Sequence, residues 1–346
     1  MTSEIHILIV GAGAVGGFYG SRLHRPEEGV KVSFVCRSNY EVVKREGIEI
    51  ESSTFGKYRI KPDRVFKSID HAATLGSSGN ESRWDYVILC AIILPDLVDD
   101  PAFLSPLLKI PDTDRHPPTL VLIQNGVGFE DNLRRRHPKV PILSAVTIVN
   151  AEQLGPGLIR HNHWTRISIG SYLNFSSYIV HPHSPVDPQL EIHSQSQLEL
   201  LARLLREGNI NDAEIYGERD LQILRWHKLA INQPLRTKTP QEGTYISGTE
   251  ISARGPDDEL IETLYEISAS INPTSILSGG LQSTDMVKEG ELRVHLEGCV
   301  TEVFEAAKII FGIESFPSHF ASIERILKSA EKAGQRSIIK PSMLVD

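Results

Sequence analysis

Residues 5–23 read IHILIVGAGAVGGFYGSRL, and this stretch decides the fold. Ile5–Val10 is apolar at every position but His6, the pattern of a strand buried on both faces. It runs straight into Gly11-Ala-Gly-Ala-Val-Gly16, and the residues after that suit a helix. In such a strand–turn–helix the first glycine permits the tight turn. The second lets backbone approach a diphosphate, and the third lets helix and strand pack closely. The helix N-terminus then faces the negative charge. Gly11, Gly13, Ala14, Val15 and Gly16 are therefore the candidate cradle for a dinucleotide.

Working outward, Val32–Cys36, Tyr86–Cys90 and Leu120–Ile123 repeat the buried-strand pattern with helical or loop segments between them. That alternation predicts an α/β fold with a Rossmann-type, doubly wound parallel sheet. Ile142–Val149, Arg166–Gly170 and Ala213–Tyr216 read as further strands. Asn174–Gln197 has no period and reads as a surface insertion, with helix returning at Leu198–Leu205. After Gly217 strand signals fade. Glu218–Leu235, Asp258–Ile271, Val300–Phe311 and Ser318–Ala333 read as helices. The expected division is a dinucleotide-binding domain over 1–217 and an all-helical domain over 218–346, which carries substrate contacts or a dimer interface.

Cys36-Arg37-Ser38 ends the second strand, where a carboxylate would hold both ribose hydroxyls of NAD. A guanidinium and a hydroxyl suit a 2′-phosphate instead, so Arg37 and Ser38 predict NADP(H).

The remaining chemistry lies in WHKLAINQPLR, residues 226–236. Leu221, Leu224, Lys228, Ile231 and Leu235 recur at helical spacing, with lysine in the middle of an otherwise apolar stripe. Asn232 stands one turn beyond it. A carbonyl that accepts hydride develops negative charge on oxygen and needs a proton donor. Lys228 is the candidate donor, and Asn232 the candidate orienting amide.

Bulk composition narrows the alternatives. The 346 residues carry a formal net charge of -8, and no basic cluster suggests nucleic acid. Three scattered cysteines fit reduced thiols. The N-terminal apolar run is too short for a membrane span and lacks a basic flank, so a cytoplasmic protein is expected. His161-Asn-His163 should share one strand face, and His181-Pro-His183 lies in the insertion. Neither has partners at metal-ligand spacing, and no metal is expected.

The chain resembles the ketopantoate reductase (2-dehydropantoate 2-reductase) family. The likeness rests on Ile7–Gly17, Arg37-Ser38 followed by Gly47-Ile-Glu-Ile, Gln124-Asn-Gly126, the Gly155-Pro-Gly157 turn and Trp226–Asn232. It implies NADPH reduction of a 2-keto acid to the 2-hydroxy acid in a cleft between the two domains. It implies that Lys228 protonates the nascent alkoxide, that Asn232 binds substrate, and that Asn125 lies near nicotinamide and substrate. The chain departs from the family in three ways, the last being the spacing of a serine and a glutamate. The family's usual lysine after the third strand falls at Ile92. Its second helix asparagine falls at Arg236, beyond Pro234. Its substrate-binding serine and glutamate are matched by Ser283 and Glu291, or by Val294 for the glutamate if a gap lies elsewhere. Arg236 suggests a bidentate grip on a carboxylate. Two functions follow. One is a reductase for ketopantoate or a related 2-keto acid, with Lys228, Asn232 and Glu291 catalytic and Asn125, Asn232, Arg236 and Ser283 on the substrate. The other is an NADP(H)-binding sensor derived from such an enzyme. Phe304, Ile309 and Ile310 offer apolar surface to the protein's own core or to a homodimer.

Overall fold

The four apolar runs become neighbouring parallel strands in the computed structural model, which describes residues 4–75, 84–91, 100–109, 116–173, 187–232 and 290–327. In chain order the strands are β1 (Ile5–Val10), β2 (Val30–Val35), β3 (Ile48–Ser52), β4 (Gly56–Ile60), β5 (Val65–Phe66), β6 (Tyr86–Leu89), β7 (Thr119–Leu122), β8 (Ile142–Gly155), β9 (Leu158–Ser171) and β10 (Ala213–Ile215). The helices are α1 (Ala14–Leu23), α2 (Tyr40–Glu46), α3 (Ile69–Leu75), α4 (Asp100–Leu104), α5 (Phe129–Arg136), α6 (Pro188–Glu207), α7 (Glu218–Asn232) and α8 (Gly290–Phe311).

The sheet runs β4-β3-β9-β8-β7-β6-β1-β2-β5, with β10 also on β9. Its centre is parallel, as expected. Its far side is not, because β8 and β9 pair antiparallel, as do β3 and β4. The cause is local: Pro156 and Gly157 alone separate β8 from β9, and Gly157 takes φ +70. A two-residue turn can only return a strand beside itself. The sheet is therefore mixed and mainly parallel, and it curls around α1. An added Cβ on Gly17 would lie 2.2 Å from the Ile159 side chain. The Tyr19 hydroxyl is 3.1 Å from each of the Thr165 and Arg166 carbonyls on β9.

Each face of the sheet buries alternate residues. Ile7 and Ile9 face Phe18 of α1 and Leu201 and Leu205 of α6. Leu8 and Val10 share the opposite core with Ile223, Trp226 and Leu229 of α7 and with Val303, Phe304 and Ile310 of α8, while Ile309 is exposed. Burial on both sides is why the central strands carry no polar alternation.

Several elements differ from expectation: α8 begins at Gly290, ten residues before Val300, and residues 318–322 of the expected Ser318–Ala333 helix are not helical. Helix α6 begins at Pro188, ten residues before Leu198. Asp187 caps it by accepting from the Gln189 amide at 2.9 Å, and Pro188 occupies the first turn. Its buried line is Leu190, Ser194, Leu198 and Leu201, and the serine hides the period. Strands β3 to β5 were not anticipated, although Ile48-Glu-Ile-Glu alternates cleanly, with both isoleucines buried. The expected helix over Asp258–Ile271 lies outside the described residues. Among those described, no helix is long and apolar enough to cross a membrane.

Candidate functional site

The glycine loop closes the carboxyl end of β1. Gly11 takes φ +106, and its amide donates to the Val35 carbonyl at 3.1 Å. A Cβ there would sit 2.8 Å from the Ala91 nitrogen, so the β1 and β6 ends meet with no room for a side chain. A Cβ on Gly16 would lie 2.0 Å from the Gly11 carbonyl oxygen. Gly13 precedes α1 with extended backbone. Ala14, Val15 and Gly16 form the first turn, whose amides have no partner within a helix. This is the cradle a diphosphate needs, and the residues present fit it.

Arg37 and Ser38 follow β2 and are exposed beside this loop. Asn39 occupies the N-cap of α2, yet its side chain does not cap. Its amide nitrogen donates instead to the Ala12 carbonyl at 2.8 Å, and the residue is buried. In a trans peptide, carbonyl and amide point opposite ways. Holding the Ala12 carbonyl therefore turns the Gly13 N–H away from Asn39. Asn39 does not stand out in the sequence, because an asparagine before a helix reads first as a cap.

Lys228 lies on α7 and is half-buried. Its Nζ donates to the Thr147 carbonyl of β8 at 2.6 Å. Thr147 lies beyond Ser144, the last β8 residue paired with β7. The stripe of Leu221, Leu224, Lys228 and Ile231 is not the buried face of α7. Leu221 is buried, Leu224 and Lys228 are half-buried, and Ile231 is exposed. The core side is Ile223, Trp226, Leu229 and Ala230. The lysine thus stands on the margin of burial, where a cation can approach both protein and solvent.

Asn125 is exposed in the loop after β7. Gln124 beside it donates to the Ala91 carbonyl at 2.8 Å, and Ala91 is the residue that crowds Gly11. The Asn125 loop and the glycine loop are thereby joined through the end of β6. Asn232 ends α7 and Glu291 lies in the first turn of α8, but the side chains of both are outside the described residues, as are Ile92, Arg236 and Ser283 entirely.

One polar cluster is not visible in the sequence. The Arg225 Nε lies 3.2 Å from Glu130 Oε1, and both side chains are almost fully buried. Arg225 Nη1 donates to the carbonyls of Gln124 at 2.9 Å and Gly126 at 3.1 Å. Its Nη2 donates to the Ala145 carbonyl at 3.0 Å and to the Ser144 hydroxyl. Ser144 and Gln222 in turn donate to Glu130. Burial pulls the guanidinium below its usual pKa, and Glu130 opposes that shift. The available signal is Gln222, Arg225 and Lys228 at intervals of three along one helix side.

The remaining groups near the loops are electrically quiet. Burial pushes the Cys90 thiol up to about 12, so it stays neutral beside the cradle. His161 and His163 do not share a face. Ala151 pairs with His161 and Asn150 with His163, so Asn162 is bulged between them. His161 is buried against Phe18 and bonded to Ser52 and the Trp164 carbonyl, while His163 is exposed. Among the described residues no group of three or more His, Cys, Asp or Glu could hold a metal ion.

The glycine loop, Arg37 and Asn125 thus lie at the carboxyl ends of β1, β2 and β7, around the point between β1 and β6 where strand order reverses, and Lys228 binds the middle of β8 just beyond its pairing with β7. Open α/β sheets bind ligands in this place. Residues 7–174 match the family model described as ketopantoate reductase PanE/ApbA. The chain is 23% identical over 292 residues to the 2-dehydropantoate 2-reductase of Nostoc sp., covering 78% of this chain and 81% of that protein. The crystal structure of 2-dehydropantoate 2-reductase from Methylococcus capsulatus has the same fold, with a TM-score of 0.52 and 22% identity over 99% of this chain and 94% of that one. So does the ternary structure of D-mandelate dehydrogenase with NADH and anilino(oxo)acetate, with a TM-score of 0.57 and 16% identity over 99% of this chain and 83% of that one. The match to the ketopantoate reductase model runs from the first strand through the β8–β9 hairpin, and over the longer alignment this chain resembles a 2-dehydropantoate 2-reductase at low identity.

Proposed function

We propose that the protein reduces a 2-keto acid, ketopantoate or a related compound, to the 2-hydroxy acid with NADPH. The observation that carries this reading is the placement of the glycine loop, Arg37 and Asn125 at one end of the parallel strands, with Lys228 bonded to β8 just beyond its pairing with β7. NADH in a D-mandelate dehydrogenase of the same fold supports a nicotinamide nucleotide as partner of the cradle.

Bound there, the nucleotide would supply a hydride to the keto carbon. The chain's own residues would do the rest. The first-turn amides of α1 and the Gly13 amide bind the diphosphate. Arg37 and Ser38 take the 2′-phosphate, which a carboxylate would repel. Asn125 orients the nicotinamide and the substrate. Lys228 gives one proton to the oxygen as the carbon–oxygen double bond becomes single, and solvent reprotonates the amine. Asn232, one turn further along α7, is the candidate substrate-binding amide. Ser283, Glu291 and Arg236 would supply the carboxylate and hydroxyl contacts.

The test is loss of nicotinamide absorbance with NADPH, ketopantoate and a panel of other 2-keto acids. Turnover that prefers NADPH is the expected result. Lys228→Ala should lower kcat about 10²–10⁴-fold, the usual share of a general acid, and leave NADPH binding nearly unchanged. Tight NADPH binding with no turnover on any keto acid would sink the reductase and leave the sensor.

A further inference from the structure

The Arg225–Glu130 pair is not explained by stability. Taking two charges out of water costs more than their attraction commonly returns, and apolar residues of similar size often serve as well or better. What apolar residues cannot do is aim. A single Arg225 nitrogen, Nη1, binds the carbonyls on both sides of Asn125, those of Gln124 and Gly126. That fixes the peptide plane entering Asn125 and the one leaving Gly126, so the backbone is held on both sides of the Asn125 side chain. The other terminal nitrogen binds Ala145 on β8, and Lys228 binds Thr147 two residues further along the same strand. Arg225 and Lys228 are themselves one turn apart on α7. Glu130 holds the guanidinium's remaining side, and its position is set by Ser144 and Gln222. The Phe129 ring lies 5.1 Å from the guanidinium carbon.

We infer that Arg225, oriented by Glu130, is a positioning residue that fixes the separation between Asn125 and Lys228. The role rests on the proposed reaction, since it matters only if those two groups share a substrate. A guanidinium is needed because it is a planar fork with donors in three directions. An ammonium keeps the charge and the partner but loses the fork.

The experiment is Arg225→Lys, with Glu130→Gln as a second variant that keeps an acceptor and removes the charge. Two readouts are taken. The first is kcat, the keto acid KM and the NADPH Kd. Arg225→Lys should lower kcat about 10²-fold, the scale of a misplacement near 1 Å, with NADPH Kd little changed. The second is amide hydrogen exchange, which needs no turnover. Peptides covering 124–128 should exchange faster in both variants while the α7 core stays protected. Wild-type kcat in Arg225→Lys would overturn the inference, and so would a loss of activity that merely follows the folded fraction. If the wild-type protein reduces no keto acid, the reductase reading fails separately. Exchange then decides the positioning role, and an unchanged loop in the variants refutes it. If Arg225→Lys does not fold, the same peptides in Glu130→Gln decide it: faster exchange supports the role and unchanged exchange refutes it.

Discussion

At the residue scale, two adjacent glycines do different work, and substitution separates them. Adding a methyl to Gly16 places carbon 2.0 Å from a backbone oxygen in the very turn that shapes the cradle. Backbone must move to accept it. Gly17 meets only the tip of Ile159, which can rotate. Gly16→Ala is expected to lose cofactor binding and about 1–3 kcal/mol of stability, whereas Gly17→Ala should bind cofactor nearly as the parent does. Titration with NADPH and thermal melts check both, and equal behaviour of the two variants would refute the distinction. The glycine loop and Arg37 are legible in sequence because their chemistry is local, a backbone conformation and a charge just after a strand. Asn39 and Arg225 are not. Their partners are carbonyls and a carboxylate brought close only by folding, and no spacing announces them. Lys228 stands out for an imperfect reason. It interrupts an apolar series, yet that series marks the rim of α7 and not its core face.

At the element scale, the central strands are readable because burial on both faces leaves an unbroken apolar signature. The weaker elements hide for identifiable reasons. Strand β5 is two residues long. Helix α6 carries Ser194 where the eye expects leucine, and its start depends on one side chain. Asp187→Ala removes that cap and should cost about 1 kcal/mol. The loss should appear as a lower Tm with unaltered NADPH affinity, since α6 packs on the face of the sheet away from α7. A fall in affinity would contradict that placement. The antiparallel β8–β9 pair is hidden in plain sight. Gly155-Pro-Gly157 reads as a turn, but only the structure shows what so short a turn does to strand direction.

At the scale of the whole molecule, acid should weaken the fold. Burial is the largest cause acting on His24, His161, His193 and His227, and it lowers each below the usual 6.5. The unfolded chain then binds more protons than the folded one between 6.5 and those lowered values. The histidine contribution is complete above 6.5 and is lost as pH falls through the folded-state values. Tm should decline as pH falls below about 6.5, before carboxylates titrate, and a flat profile there would refute this. The sheet's connectivity has a further effect, on the order of synthesis. Strand β3 leaves the ribosome early, but the strand that covers its open side is β9, with Glu49 opposite Leu158. Until about a hundred more residues have been made, Ile48 and Ile50 sit on a hairpin with one row of amides and carbonyls unsatisfied. A nascent chain in that state is a template for pairing with its neighbours. The protein is expected to be most vulnerable to aggregation during the first half of its own translation, before Leu158–His161 can cover β3.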